Sequence, residues 1–282
     1  MKSRVLWLAT VLILAALACS PTIRLPALET GPTETITILE PVPERGTPVD
    51  VEIRMGAGSL ELSGGGSALM EGSIQFNVPD WRPDIHRTNS SLSVEQDFPE
   101  PGVTLGEDIV NQWALRLGDT PINLRVRAGA YSARMDFTDV TLTGLSIEDG
   151  ASDATVEFGS PNHAAMTLLS YKTGASTVSL IGLGNANFDE LRFDGGAGTY
   201  LLDFSGSLQH SATVHVRAGV STVRIEIPDD VRGEIHVSGG LTDVTTIGAW
   251  TQNGEVYRNE GQGPTLAIFI DMGLGSLTIV SE

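Results

Sequence analysis

The sequence predicts an all-β protein, a single-stack β-solenoid of short strands with coils of about 22 residues. Three observations predict it. First, a string of the form Gly-small-x-(Ser/Thr/Asp)-apolar-x-apolar recurs. It starts at Gly129, Gly150, Gly174, Gly196, Gly219 and Gly240, at spacings of 21, 24, 22, 23 and 21 residues. Second, the copies form columns when aligned on that glycine. Five places before it stand Leu124, Leu145, Leu169, Leu191, Val214 and Ile235; three places before it stand Val126, Ile147, Tyr171, Phe193, Val216 and Val237, with polar residues between. That is the period-2 alternation of a half-buried strand. Third, the composition suits a packed body: the 282 residues are 41% hydrophobic, and the single cysteine excludes an internal disulfide framework.

Residues 1–18 read as an export signal. Lys2 and Arg4 open it, residues 5–14 are apolar apart from Thr10, and small residues lead to Cys19. The run is shorter than the roughly 20 residues a membrane-spanning helix needs. Its end, Ala15-Ala16-Leu17-Ala18-Cys19, resembles the lipobox of bacterial lipoproteins, where signal peptidase II cleaves before a lipidated cysteine. The resemblance implies Cys19 as a lipidation site and a lipid-held membrane anchor on the extracytoplasmic side. Removing residues 1–18 takes the formal charge from −18 to −20. So acidic a chain gains nothing from anionic headgroups, and the lipid, not a basic patch, supplies the membrane contact. Residues 19–47 read as a tether, because Pro21, Pro26, Pro32, Pro41 and Pro43 favour an extended chain without a core.

Residues 48–282 read as the solenoid, with outlying copies of the repeat at Gly56 and Gly273. Each unit is expected to be a strand, a tight turn at the glycine, and a second strand. The glycine supplies a positive φ or a close backbone approach that a Cβ would block. One unit cannot bury its own apolar face, but stacked units can, with ladder rungs about 4.8 Å apart. After the glycine, Ala133, Ala154, Val178, Tyr200, Val223 and Val244 are expected inside, and Asp136, Glu157, Asp203 and Glu226 outside. The outward column two places before the glycine alternates in sign through Arg127, Glu148, Lys172, Asp194 and Arg217. A slip by one coil would set like charges side by side, so this column helps fix register. Residues 66–118 interrupt the series. Strand patterns at 71–78, 91–96 and 107–117, with prolines between, read as a hairpin-bearing insertion that caps one end of the stack. Residues 250–264 lengthen the last gap to 33 residues, and residues 265–280 form a terminal strand.

The segments Asn111-Gln-Trp113-Ala-Leu-Arg-Leu-Gly and Pro121-Ile-Asn-Leu-Arg-Val, followed by repeated Gly-Ala-x-Ser/Thr units from Gly129, resemble the bacterial toast-rack domain. These domains are extracytoplasmic β-solenoids related to the C-terminal region of LiaF-type cell-envelope stress proteins. The resemblance covers about residues 48–282. It implies the fold and a role in sensing or signalling envelope stress, and it implies no enzymatic activity.

The chemistry-bearing residues are few. A charge of −18 argues against nucleic acid, whose phosphates want a basic face. No Gly-x-Ser-x-Gly elbow, phosphate loop, HExxH or CxxC occurs, so a non-catalytic protein without a cofactor is expected. His215 and His236 occupy equivalent outward positions in successive repeats and are weak candidates for a surface metal site. His86, His163 and His210 stand alone. Asp136, Glu157, Asp203 and Glu226 could be read as calcium ligands or paired carboxylates, though an outward acidic ladder is usually a solvated face. Tyr131, Trp81 and Trp250 are candidates for an aromatic sugar platform, whereas Tyr171 and Tyr200 belong to inward columns. The expected function is a lipid-anchored extracytoplasmic binding or scaffold module with an envelope protein or polysaccharide partner. The alternatives are an envelope-stress accessory and an envelope polysaccharide lyase or hydrolase.

Overall fold

Alternating apolar residues make the strands, and the glycines decide how they stack. The computed structural model describes residues 28–44, 48–97 and 108–281. Eight long strands carry the repeats: β2 (Val49–Ser63), β7 (Ile122–Asp136), β8 (Leu142–Glu157), β9 (Met166–Ile181), β10 (Phe188–Asp203), β11 (Ala212–Ile227), β12 (Arg232–Ile247) and β15 (Thr265–Ser281). All pair in parallel, in the spatial order β2-β7-β8-β9-β10-β11-β15-β12. The predicted columns are the ladders: Leu145 lies beside Leu169, Leu169 beside Leu191 and Leu191 beside Val214. These four side chains are at most 2% exposed, so the interior rows are continuous.

Each unit is one strand with a bend, not two strands joined by a turn. The ladders continue on both sides of the glycine, skipping that position alone between Ala128↔Asp149 and Ala130↔Ala151, and Asp149 as well between β8 and β9. Inward positions shift phase there, from Ala128 to Tyr131 instead of Ala130. Close approach, and not a positive φ, is what the column requires. A Cβ on Gly174 would lie 2.3 Å from the carbonyl oxygen of Gly150, and one on Gly196 would lie 2.2 Å from that of Gly174. The carbonyl of one coil therefore fills the space a side chain on the next would need.

The insertion covers one end of the stack, as its position predicts. It contains β3 (Met70–Phe76), β4 (Asp84–Arg87), β5 (Ser91–Glu95) and β6 (Asn111–Leu117). β5 pairs with the first half of β2 and β6 with the second, together standing in for a missing coil. A buried amide pair locks them. Asn111 Nδ2 donates to Gln96 Oε1 (2.8 Å) and to the Ala57 carbonyl (2.5 Å), while Asn111 Oδ1 accepts from Gln96 Nε2 and Trp113 Nε1 (both 3.0 Å). Gly58, at φ +141°, lies against Asn111; a Cβ there would be 2.1 Å from its carbonyl oxygen.

Two features depart from expectation. The segment read as tether contains β1 (Glu34–Glu40), which pairs antiparallel with β3. Its Thr-Ile-Thr-Ile alternation buries Ile38 and overrides the surrounding prolines. The terminal strand β15 does not follow β12. It enters between β11 and β12, placing Ile268 between Val214 and Ile235, Ile270 between Val216 and Val237, and Met272 between Ala218 and Gly239. The 33-residue gap provides the return path. Its hairpin, β13 (Thr251–Asn253) and β14 (Val256–Arg258), lies on the far edge of β12 and pairs with Glu234–His236. The export signal, Cys19, and the prolines at 99 and 101 lie outside the described residues.

Two substitutions test this packing. Val216→Asp would bury a carboxylate without a partner at a site that is 1% exposed; it should cost at least ~3 kcal/mol in urea unfolding, and an unchanged midpoint would refute the inward assignment. Gly196→Ala removes no contact yet should cost about 1–3 kcal/mol, because the new methyl meets the Gly174 carbonyl. A neutral or stabilising result would show that the coils are not held this close.

Candidate binding face

The half-strands before the glycine present one outer face across all eight coils. Two columns stand on it. The column two places before the glycine reads, in ladder order, Arg54, Arg127, Glu148, Lys172, Asp194, Arg217, Asp271 and Ser238. The column four places before it reads Glu52, Arg125, Ser146, Ser170, Arg192, His215, Phe269 and His236. The inserted strand thus extends the sign alternation by one residue, Asp271, and adds an exposed phenyl ring.

The ion pairs are loose along the first column and tight beside it. Arg127 lies 4.0 Å from Glu148, and Arg217 lies 3.9 Å from Asp194. Arg192 grips Glu190 through Nε (2.6 Å) and a second nitrogen (3.1 Å). That bond, with Coulomb attraction from Arg192 and His215, lowers the Glu190 pKa against its partial desolvation. Glu234 is lowered chiefly by its hydrogen bonds from Arg258 and His236. Lys172 makes no ion pair within 4 Å among the described residues. Three depressions of about 580, 540 and 210 Å³ run across this face, and Arg217 lines all three. It lies at their junction with its side chain 77% exposed, its guanidinium 3.9 Å from Asp194.

His215 and His236 do not meet. Phe269 is between them in the ladder, stacked on His215 at 5.3 Å and on His236 at 4.8 Å between ring centroids. The imidazoles are two strand spacings apart, about 9.6 Å, too far to share a metal ion. Each faces its own carboxylate, Glu190 at 3.8 Å and Glu234 at 2.8 Å. The metal candidate fails because β15 occupies the intervening slot. The four outward carboxylates of the other half-strands stand as two separate ladder pairs, Asp136 beside Glu157 and Asp203 beside Glu226, and each is engaged locally. Asp136 accepts from Thr138, Asp203 from Ser205, while Glu157 pairs with Arg134 and Glu226 with Arg224. No aromatic platform forms: Trp81 and Tyr131 are buried, and Trp250 packs partly against the core.

One polar cluster was not foreseen. Asp149, 7% exposed, sits inside the bend of β8. Its carboxylate accepts from Tyr171 (2.8 Å), Ser152 (3.1 Å), Ser176 (3.4 Å), Tyr131 (3.5 Å) and Thr173. Burial first, and then neighbouring negative charge including Asp149, pushes both tyrosine pKa values upward. Five hydroxyl donors satisfy a carboxylate that has no cationic partner among the described residues, so the cluster ties adjacent coils together. The available signal was Asp149 itself, a charge in the otherwise small or apolar column next to the glycine.

Among solved structures, the chain is similar to a candidate cell adhesion protein from Clostridium sporogenes, at 17% identity and a TM-score of 0.49 over 89% of this chain and 99% of that one. It is also similar to a candidate lipid binding protein from Parabacteroides distasonis (11% identity, TM-score 0.41, 90% and 99% covered). A third likeness is to a candidate adhesin from Bacteroides fragilis (9% identity, TM-score 0.36, 90% and 99% covered). No curated protein matches the chain. Residues 29–168 match the family model described as the N-terminal domain of toast_rack, DUF2154. That stretch holds β1, the capping insertion and the first repeat strands, and over it the chain matches the toast-rack family.

Proposed function

We propose that this protein is a lipid-anchored, extracytoplasmic binding or scaffold module of the cell envelope, with no catalytic chemistry of its own. The observation that carries the reading is the outer face of the half-strands before the glycine. It offers charged side chains, three adjoining depressions and an exposed Phe269, with the largely exposed Arg217 lining all three depressions. Such a surface recognises a partner by charge and shape. It does not pair a nucleophile with a base in the way covalent catalysis requires. Glu190, Asp194, Glu234, His215 and His236 on it are each engaged by a local partner. The sequence signal ending at Cys19 supports export and lipidation, and the toast-rack resemblance to LiaF-type proteins supports a place at the envelope.

Two experiments test it. Cys19→Ala should leave the protein unprocessed or in the soluble fraction after membrane fractionation; normal cleavage with full membrane retention would overturn the lipid anchor. Capture from the native envelope should use a chain starting at Ser20, because starting at residue 48 would delete β1. A specific protein or polymer retained by the wild type should fall at least about tenfold with Arg217→Glu. Turnover of an envelope polysaccharide by the purified chain would replace the binding reading with an enzymatic one.

A further inference from the structure

The charge order on this face has a symmetry that a single copy does not use. From β7 to β15 the column two places before the glycine runs Arg127, Glu148, Lys172, Asp194, Arg217, Asp271. It alternates strictly, and its six members are an even number. Read backwards, such a column has every sign inverted. A two-fold axis parallel to the strands, passing between β9 and β10, lays the column on its own reverse. An odd number of alternating charges would instead set the central residue against its own copy.

We propose that this face is a self-complementary docking surface, and that its partner is a second copy of this chain. The proposal names the partner for the binding face assigned above and rests on that assignment. Under the axis described, Lys172 meets Asp194 of the partner subunit, Glu148 meets Arg217 of the partner subunit, and Arg127 meets Asp271 of the partner subunit. The flanking positions agree. Arg54 meets Ser238 of the partner subunit, which is neutral. In the neighbouring column, Glu52 meets His236 of the partner subunit, and Arg125 meets Phe269 of the partner subunit, a cation over an exposed aromatic ring. Ser146 and Ser170 meet His215 and Arg192 of the partner subunit without a like-charge clash. One like-charged apposition, Asp50 with Glu234 of the partner subunit, falls at the outermost coils. There Asn123 already holds Asp50 and Arg258 holds Glu234. This register pairs all six charges with opposites: a shift by one coil sets every charge against its like, and a shift by two coils leaves at most four of the six facing an opposite charge.

The same symmetry sets the test. Each substitution acts twice in the dimer. Sedimentation velocity is run on chain 20–282 over a concentration series at about 0.15 M salt, where a Debye length of about 8 Å screens the overall negative charge but not side chains in contact. The wild type is expected to dimerise. Lys172→Glu and Asp194→Lys should each weaken self-association at least about tenfold. An equimolar mixture of the two variants should pair with each other, since the first carries two negative charges at the axis and the second two positive ones. The double variant Lys172→Glu/Asp194→Lys should pair with itself again. Restored pairing also shows that both variants fold. A wild type that stays monomeric overturns the proposal, as does a dimer indifferent to the single substitutions or a mixture that fails to pair. A monomer whose envelope capture still depends on Arg217 would remove self-pairing and leave the binding face in place.

Discussion

Everything in this molecule follows from how closely the coils stack at the bend. In the glycine column the carbonyl oxygen of one coil lies where the next coil's Cβ would be. That contact leaves no freedom along the stack. Once Gly150, Gly174, Gly196, Gly219 and Gly273 are superposed in this way, the residues on either side fall into ladders. The apolar ones close a continuous interior from Leu124 to Ile235, and the polar ones line up outside. The bend also shifts the inward phase from Ala128 to Tyr131. Both half-strands can thereby bury a face within one unbroken strand.

Close stacking makes the outer surface a grid, and a grid turns single side chains into patterns. Alternating charges at a strand spacing contribute little each in water. Their order has two larger effects. Within one chain it penalises a slipped register. On a flat exposed face it also defines a template that something of opposite order can match. The depressions around Arg217 and the exposed Phe269 belong to the same grid. Recognition and register on this face therefore share the same residues.

The polar interior shows how such a stack tolerates exceptions. Asp149 occupies an inward column with no ion pair among the described residues, and five hydroxyls from three strands turn toward it. At the returns between coils, asparagines act likewise. Asn162 accepts from Leu142 N–H (2.9 Å) and donates to the Leu142 carbonyl (2.8 Å), and Asn259 spans Gly233 N–H and the Val231 carbonyl. Backbone groups that a bend leaves unpaired are costly when buried, and these amides satisfy them. The ends are handled unequally. β5 and β6 continue the stack beyond β2, whereas β14 covers only the Glu234–His236 part of β12.

The sequence by itself determined the coil length, which residues face inward, the need for glycine at the bend and the site of the cap, because these depend on local periodicity and on the size of one side chain. It also marked Asn111 and Trp113, which hold the cap through the buried amide pair. It did not determine which coils are neighbours. A column of Val, Ile and Leu fits against any other such column, so the pattern of β12 is satisfied equally beside β11 or beside β15. Only the tertiary structure decided that β15 takes the slot between them, and with that choice it separated His215 from His236, placed Phe269 between them and completed the six-charge alternation. The same holds for β1, whose short alternation among prolines has meaning only once β3 offers it an edge.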